Sequence, residues 1–289
     1  MKLALGTVQF GLNYGIANNH GKVTFKEAPK IIQYAKQSCI NTLDTAIAYG
    51  DSEHRLGEIG IQDWDVVSKL PEIPFRGADI SQWVITAVKG SLERLKLNSL
   101  YGLLLHRPQQ LLENDGARIY RALLKLKDDG LVQNIGVSIY DPEELNSLCD
   151  QYHFDLVQAP FSIFDHRLIN SGWIYRLADI NTELHVRSVF LQGLLLMKPD
   201  ERPEKFNRWS TLWSKYDNWL LQTEMTSIQA CLRHALSFPE IRKVIIGVDS
   251  LNQLIDILSS AEGPAPKMSE FIKTEDSDLL NPANWSTLK

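Results

Sequence analysis

The 289-residue sequence contains three cysteines, Cys39, Cys149 and Cys231, far apart and in no CxxC pair. That argues against a disulfide framework and against a cysteine zinc site. Long hydrophobic runs are missing too. The longest lies near residues 191–197 and is interrupted by Gln192, well short of the ~20 residues that cross a bilayer. The opening MKLALGTVQFG is too short and too glycine-broken for a signal peptide, so a reducing cytoplasm is the expected location and no membrane partner is expected. There is no surplus of positive charge. Lys and Arg number 30 against 35 Asp and Glu, a net charge of −5, which gives no bulk attraction to nucleic acid. No GxGxxG follows a strand pattern, which disfavours a Rossmann site. No HExxH or paired Cys/His cluster is present, so no metal is expected. Gly15…Gly21-Lys22 has five residues between its glycines, and Val23 stands where a phosphate loop needs Ser or Thr.

What is present is an ordinary globular composition, 44% hydrophobic and 22% charged, with no low-complexity linker. Short β-rich apolar runs recur at 3–6, 42–44, 65–69, 100–106, 134–138, 156–158, 185–190 and 244–247. Helical patterns lie between them. In 25–37 the residues Ala28, Ile31, Ile32 and Ala35 share one face; in 117–127, Ile119, Ala122, Leu123 and Leu126 do. Thr24 and Asp141 are candidate N-caps, the latter followed by Pro142 and by Glu144 in capping-box position. Strands separated by helices pair in parallel, and eight such units predict a single α/β domain, a (β/α)₈ TIM barrel over 1–262. Residues 263–289 then form a tail packing on or near the barrel, loosely beyond Lys267. An aromatic insertion in 191–222, with Trp209, Trp213, Tyr216 and Trp219, reads either as a lid over the active face or as an amphipathic helix packed on the barrel wall.

A barrel places function at the carboxyl ends of its strands. Asp44, Lys69 and His106 end the second, third and fourth strand runs, and Tyr49 follows Asp44 in the next loop. Each alone has an ordinary explanation: a cap, a turn, a solvated lysine, a hydrogen-bonded core histidine. Together they form an acid–base group. A tyrosine, unperturbed pKa near 10, donates a proton near neutrality if a cation such as Lys69 lowers that value. Asp44 would hold Lys69 by an ion pair, and His106 would hydrogen-bond the substrate oxygen. With no nucleophile or metal cluster nearby, hydride from a nicotinamide is the natural attacker.

These residues carry a resemblance. Leu5-Gly6-Thr7, Asp44-Thr45-Ala46…Tyr49-Gly50, Ser52-Glu53…Leu56-Gly57, Lys69, Leu105-His106, Gly136-Val137-Ser138, Gln158, Ser188…Gly193-Leu194 and Ile246-Gly247 together resemble the aldo-keto reductases, from about Leu3 to Leu258. The resemblance implies an NAD(P)H-dependent reductase of an aldehyde or ketone, reversible toward an alcohol or sugar hydroxyl, with Tyr49 as proton donor. It implies that Gly6 and Thr7 line the nicotinamide end and that Ser138 and Gln158 bind the carboxamide. The 188–193 loop, with Ser188, Phe190, Gln192 and Gly193, would wrap the pyrophosphate. Gly247, Gln253 and Asp256 would hold the adenosine end.

Three positions depart from the family's pattern. Ile139 follows Ser138 where Asn is common. Arg187 occupies the position of the tyrosine that stacks on the nicotinamide, and its guanidinium plane could stack in its place. The adenosine loop lacks the Lys or Arg that pairs with the 2′-phosphate of NADP and carries Asp249 instead. NADP(H) is thus the family expectation, and NAD(H) is equally open on these residues. The opening Leu5–Ile16 resembles a bacterial branch associated with polysaccharide and nucleotide-sugar pathways, which points to a small carbonyl or sugar substrate. Some members act instead as cofactor-sensing partners of other proteins, and a non-redox phosphate-binding barrel is a third alternative. The sequence leaves monomer and dimer both open.

Overall fold

The computed structural model describes residues 1–74 and 79–288. Eight strands, β1 (Leu3–Gly6), β2 (Thr42–Asp44), β3 (Asp65–Leu70), β4 (Leu100–Leu105), β5 (Val132–Ser138), β6 (Leu156–Pro160), β7 (Glu183–Arg187) and β8 (Ile241–Gly247), close into one parallel barrel in sequence order. Each strand is almost wholly buried, as expected for a parallel sheet covered by helices on its outer face. In the helix Ala28–Gln37 the buried residues are Ala28, Ile31, Ile32 and Ala35; in Gly116–Asp128 they include Ile119, Ala122, Leu123 and Leu126. Registry aligns the strand ends. Gly6 sits opposite both Asp44 and Gly247, Lys69 opposite Leu104, and Ser138 opposite Gln158.

Several expectations are corrected. The seventh strand spans Glu183–Arg187 rather than 185–190, because Ser188, Leu191 and Gln192 take left-handed backbone angles that end the ladder. The fourth stops at Leu105, one residue before His106. The eighth begins at Ile241, three residues before the 244–247 run, and so includes Arg242 and Lys243. Thr24 and Asp141 cap turns that precede their helices: Glu27 N donates to Thr24 Oγ1, and Glu143 N to Asp141 Oδ1, while Asp141 N donates to Glu144 Oε1. The helices begin four and three residues later, at Ala28 and Glu144.

The aromatic insertion forms the helix Ser210–Thr223, which buries Trp213, Tyr216 and Trp219. Their polar atoms donate to main-chain carbonyls: Trp213 Nε1 to Phe206, Tyr216 OH to Leu195 and Trp219 Nε1 to Lys267. Each large ring therefore has both burial and a partner for its polar tip, and the packed-helix reading is the one the structure bears out. The chain beyond Lys267 is docked, contrary to the loose packing expected of it. Ile272, Leu279, Leu280 and Trp285 are buried, Thr274 N donates to Phe164 O, and Asp276 accepts from Trp209 Nε1. The tail's apolar residues meet the aromatic wall, where the Trp285 ring lies 5.0 Å from that of Phe206.

Under that tail lies a stack of buried rings. His234 stacks on Phe161 at 5.4 Å and on His166 at 5.2 Å, and neither histidine Nε2 has a hydrogen-bond partner. Burial pushes His166 down to about 4, helped by Lys273 and opposed by Asp165 and Glu270. Burial pushes His234 down to about 3, helped by His166 and Lys273. Below the ordinary histidine value of about 6.5 the unfolded chain binds more protons than the folded one. Stability therefore rises with pH across that window and is lost as pH falls from about 6.5 toward 4. Thermal unfolding followed from pH 7 down to 4 is expected to show a steadily falling midpoint. A double substitution His166→Asn, His234→Asn is expected to flatten that dependence; an unchanged slope would locate the acid sensitivity elsewhere.

Candidate active site

The carboxyl rim of the barrel opens into a cavity of about 370 Å³. Its wall includes Gly6, Thr7, Asp44, Tyr49, Arg187, Ser188, Phe190, Gln192, Gly193, Gly247, Gln253 and Asp256, so twelve of the residues singled out from sequence converge on one cleft. Lys69, His106, Ser138 and Gln158 are not on its wall. They stand beside the residues that are.

Asp44 is the hub. Lys69 Nζ, at a side chain 1% exposed, donates to Asp44 Oδ1 at 2.6 Å, to Oδ2 at 2.7 Å and to Thr45 O at 3.1 Å. All three ammonium protons are used, which is the condition for burying such a charge. Gln158 Nε2 donates to Asp44 Oδ1 at 2.6 Å, and Ser138 Oγ donates to Gln158 Oε1 at 3.2 Å. Thr7 Oγ1 donates to Asp44 O at 3.0 Å. β1, β2, β3, β5 and β6 are thus stitched together at one level.

Tyr49 is held by backbone crowding. A Cβ on Gly11 would overlap the Tyr49 carbonyl oxygen, and Gly50, at φ +55°, packs on Gly11 O. Ser52 Oγ donates to Thr7 O at 2.9 Å. Only a glycine at 11 lets the Tyr49 turn seat against the start of the barrel. The Tyr49 ring lies 5.9 Å from that of His106, edge-on, with Lys69 Nζ 5.2 Å from its centroid. Its hydroxyl makes no hydrogen bond among the described residues.

Electrostatics at the site correct one sequence expectation. Lys69 was to lower the phenol's pKa. Burial raises it instead, and the Asp44 carboxylate raises it further, against a smaller opposing effect of Arg187. Asp44 sits on Lys69 and offsets its field. Lys69 itself is lowered, by burial first and against the pull of Asp44. His106 is pushed down to about 4, by burial first and then by Lys69. At neutral pH the phenol is therefore protonated and the imidazole neutral, beside the Lys69–Asp44 salt bridge.

Arg187, on the cleft wall, is held by contacts with the end of β5. Its guanidinium Cζ lies 4.6 Å over the Tyr140 ring, and Nη2 donates to Ile139 O at 2.8 Å.

At the far end of the cleft, Asp249 N donates to Gln253 Oε1 at 2.7 Å, and Asp249 Oδ1 accepts from Asn18 Nδ2 at 3.1 Å. Burial raises the Asp249 pKa. Of the wall residues there, Asp249 and Asp256 are acidic and none is Lys or Arg. Between the two ends, Ser188, Leu191, Gln192 and Gly193 all have positive φ. The amides of Val189 and Phe190, both on the wall, donate to no group among the described residues. Left-handed turns with free N–H groups make concavities suited to anionic oxygens.

Sequence reasoning missed one wall altogether. The loop after β1 contributes Gln9, Tyr14, Gly15, Ala17 and Asn18 to the cleft. Tyr14 OH accepts from Gln192 Nε2 at 3.0 Å, and a Cβ on Gly193 would press on Ala17. Together with the Asn18–Asp249 bond, this ties the β1 loop to the loops after β7 and β8. The available signal was the glycine spacing in Leu5–Ile16, which does not say what the loop reaches.

The aldo/keto reductase family model matches residues 2–273. Among curated proteins, an aldo-keto reductase from Mycolicibacterium smegmatis is 28% identical over 173 residues, 57% of this chain and 57% of that protein. One from Mycobacterium sp. strain JLS is 31% identical over 163 residues, 54% and 56%. The chain thus spans little more than half the length of the curated relatives it matches. Among solved structures, an aldo-keto reductase from Bacillus halodurans in its holo form is similar at TM-score 0.75 and 20% identity, covering 95% of this chain and 94% of that one. A glycerol dehydrogenase from Gluconobacter oxydans is similar at TM-score 0.69 and 19% identity, covering 91% and 87%. At these identities the structural likeness speaks for the fold.

Proposed function

The chain belongs to the aldo/keto reductase family, and we propose that it interconverts a small carbonyl compound and its alcohol, with a nicotinamide dinucleotide as redox partner. The family is one of carbonyl and alcohol oxidoreductases. The observation that carries the proposal is the Asp44–Lys69 pair beside Tyr49, which lines the cleft and whose hydroxyl has no partner among the described residues.

The cleft residues fit a dinucleotide. Gly6, Gly15, Gly193 and Gly247 lie on the wall, so a flat ligand can approach the main chain closely. The free Val189 and Phe190 amides suit phosphate oxygens. Ser138 Oγ can still accept, and Gln158 Nε2 has a second proton to give, so both are assigned to the carboxamide. Gly247, Gln253 and Asp256 are assigned to the adenosine end. When bound, the nicotinamide supplies or takes a hydride.

The chain's own groups do the rest. Neutral His106 hydrogen-bonds the carbonyl oxygen and orients it. Tyr49 gives that oxygen its proton as negative charge develops there. Lys69, fixed by Asp44, lies close enough to stabilise the phenolate that remains, and its fixed position avoids reorganisation at the moment of transfer. In the oxidation direction Tyr49 takes the proton back.

The acidic adenosine end argues for NADH. A 2′-phosphate would meet Asp249 and Asp256 with no lysine or arginine on the wall there. Parallel fluorescence titrations are expected to give NADH an affinity equal to or tighter than that for NADPH. A clear preference for NADPH would overturn this part. Turnover of a broad aldehyde panel with the better cofactor tests the activity itself. Tight cofactor binding without turnover would favour a cofactor-sensing role.

A further inference from the structure

One charge on the cleft wall has no part in the reading above. Arg187 ends β7 and lines the same cavity as Tyr49. Nη2 donates to Ile139 O at 2.8 Å, Nη1 to Ser188 Oγ at 3.3 Å, and the guanidinium lies over Tyr140. These contacts anchor it between the ends of β5 and β7. They leave most of its five N–H donors uncommitted.

Arg187 also lacks a counterion among the described residues. Arg55 pairs with Asp51, Arg167 with Asp141 and Asp165, and Arg202 with Asp217. Among the described residues Arg187 makes no salt bridge. Of the acidic groups on the cavity wall, Asp44 is taken by Lys69, and Asp249 and Asp256 stand with Gly247 and Gln253 at the other end. The cleft is therefore polarised, with a free cation at the Tyr49 end. Its field reaches the reacting groups, for it acts on Tyr49, Lys69 and His106 alike. A partly buried charge is costly to keep unpaired, and the Tyr140 face and one carbonyl compensate only in part.

We propose that Arg187 is a specificity residue that grips an anionic group on the substrate, so that the preferred carbonyl compound carries a carboxylate or phosphate near its reacting carbon. The inference rests on the oxidoreductase reading. Arginine matches either group with two parallel N–H···O bonds, and Tyr140 keeps the fork in plane. The anion would complete the ion pair that the protein leaves open, and it would fix which end of the substrate faces Tyr49.

Two measurements test this. The first compares kcat/KM for succinic semialdehyde against butanal, and for glyceraldehyde 3-phosphate against glyceraldehyde. Each charged compound has a neutral counterpart, and the two pairs separate carboxylate from phosphate. The charged member of at least one pair is expected to be favoured about 10- to 100-fold, the size of a hydrogen bond to a charged group. Arg187→Leu is expected to collapse that ratio. Arg187→Lys is expected to restore only part of it, since lysine keeps the charge but loses the fork and the stacking. The second measurement is calorimetric titration of succinate and inorganic phosphate against neutral succinamide, at saturating NAD⁺, which needs no turnover. Binding of either anion that disappears in Arg187→Leu supports the site.

Equal kcat/KM within both pairs, with neither anion bound, would overturn the anion site and leave the oxidoreductase reading intact. Arg187-dependent anion binding with no turnover of any aldehyde would support the site and sink the oxidoreductase reading. Weakened cofactor affinity in Arg187→Leu, with the substrate ratio unchanged, would assign the guanidinium to the cofactor and overturn the proposal.

Discussion

Tyr49→Phe is expected to lower kcat for carbonyl reduction by about 10²- to 10⁴-fold, the range for removing a positioned general acid. Cofactor affinity and thermal midpoint should barely move. The Tyr49 hydroxyl makes no hydrogen bond among the described residues, so its deletion leaves none of them unsatisfied, and the phenylalanine ring keeps the contact with His106. Spectrophotometric turnover and a fluorescence titration on the same preparation check both halves. A Phe variant within about tenfold of wild type would remove Tyr49 as proton donor.

The pH behaviour follows from the same groups. Burial and Asp44 hold the Tyr49 phenol above its ordinary value, and His106 is neutral above about 4. Between about pH 5 and pH 9 neither group changes state in the free protein. Reduction should show no limb from either of them there. Oxidation needs the phenolate, so its rate should still climb with pH at the top of that window. The resting pKa is thus set for donation, and Lys69 acts on the phenolate as it forms.

The barrel was legible in the sequence because its signal repeats. Eight apolar runs separated by 3.6-period helices admit few topologies, and Asp44, Lys69 and His106 each end such a run. The Ser188 turn was not legible, because its left-handed angles fall on residues with no glycine to announce them until Gly193. The docked tail was missed because Ile272, Leu279, Leu280 and Trp285 are spaced irregularly among acids, and only the aromatic wall they meet makes them core. The direction of the Tyr49 shift was misread because a sequence shows a lysine nearby but not its partner. The Asp44 carboxylate, held at 2.6 Å and 2.7 Å from Nζ, offsets the charge on which the expectation depended. The contact of Arg187 with Tyr140 was not legible either, because the two lie at different strand ends that only the fold brings together.

Lys69→Met is expected to be the most destabilising single change at the site. Lys69 is fully buried, and its three donors satisfy both oxygens of Asp44 and the Thr45 carbonyl. Its loss leaves a buried carboxylate with Gln158 Nε2 as its remaining side-chain donor. Removing one partner of a buried pair costs about 3–5 kcal/mol, which at this chain length corresponds to roughly 5–8 °C in thermal midpoint. Most of that loss is the stranded charge rather than the bond itself. The double variant Asp44→Asn, Lys69→Met should therefore be more stable than Lys69→Met alone while remaining inactive, since the phenolate of Tyr49 has lost its fixed cation in both. Thermal unfolding without cofactor, which would otherwise raise the midpoint by mass action, separates these cases. A double variant no more stable than Lys69→Met would mean that packing of the lysine stem, and not the unpaired Asp44, dominates the loss.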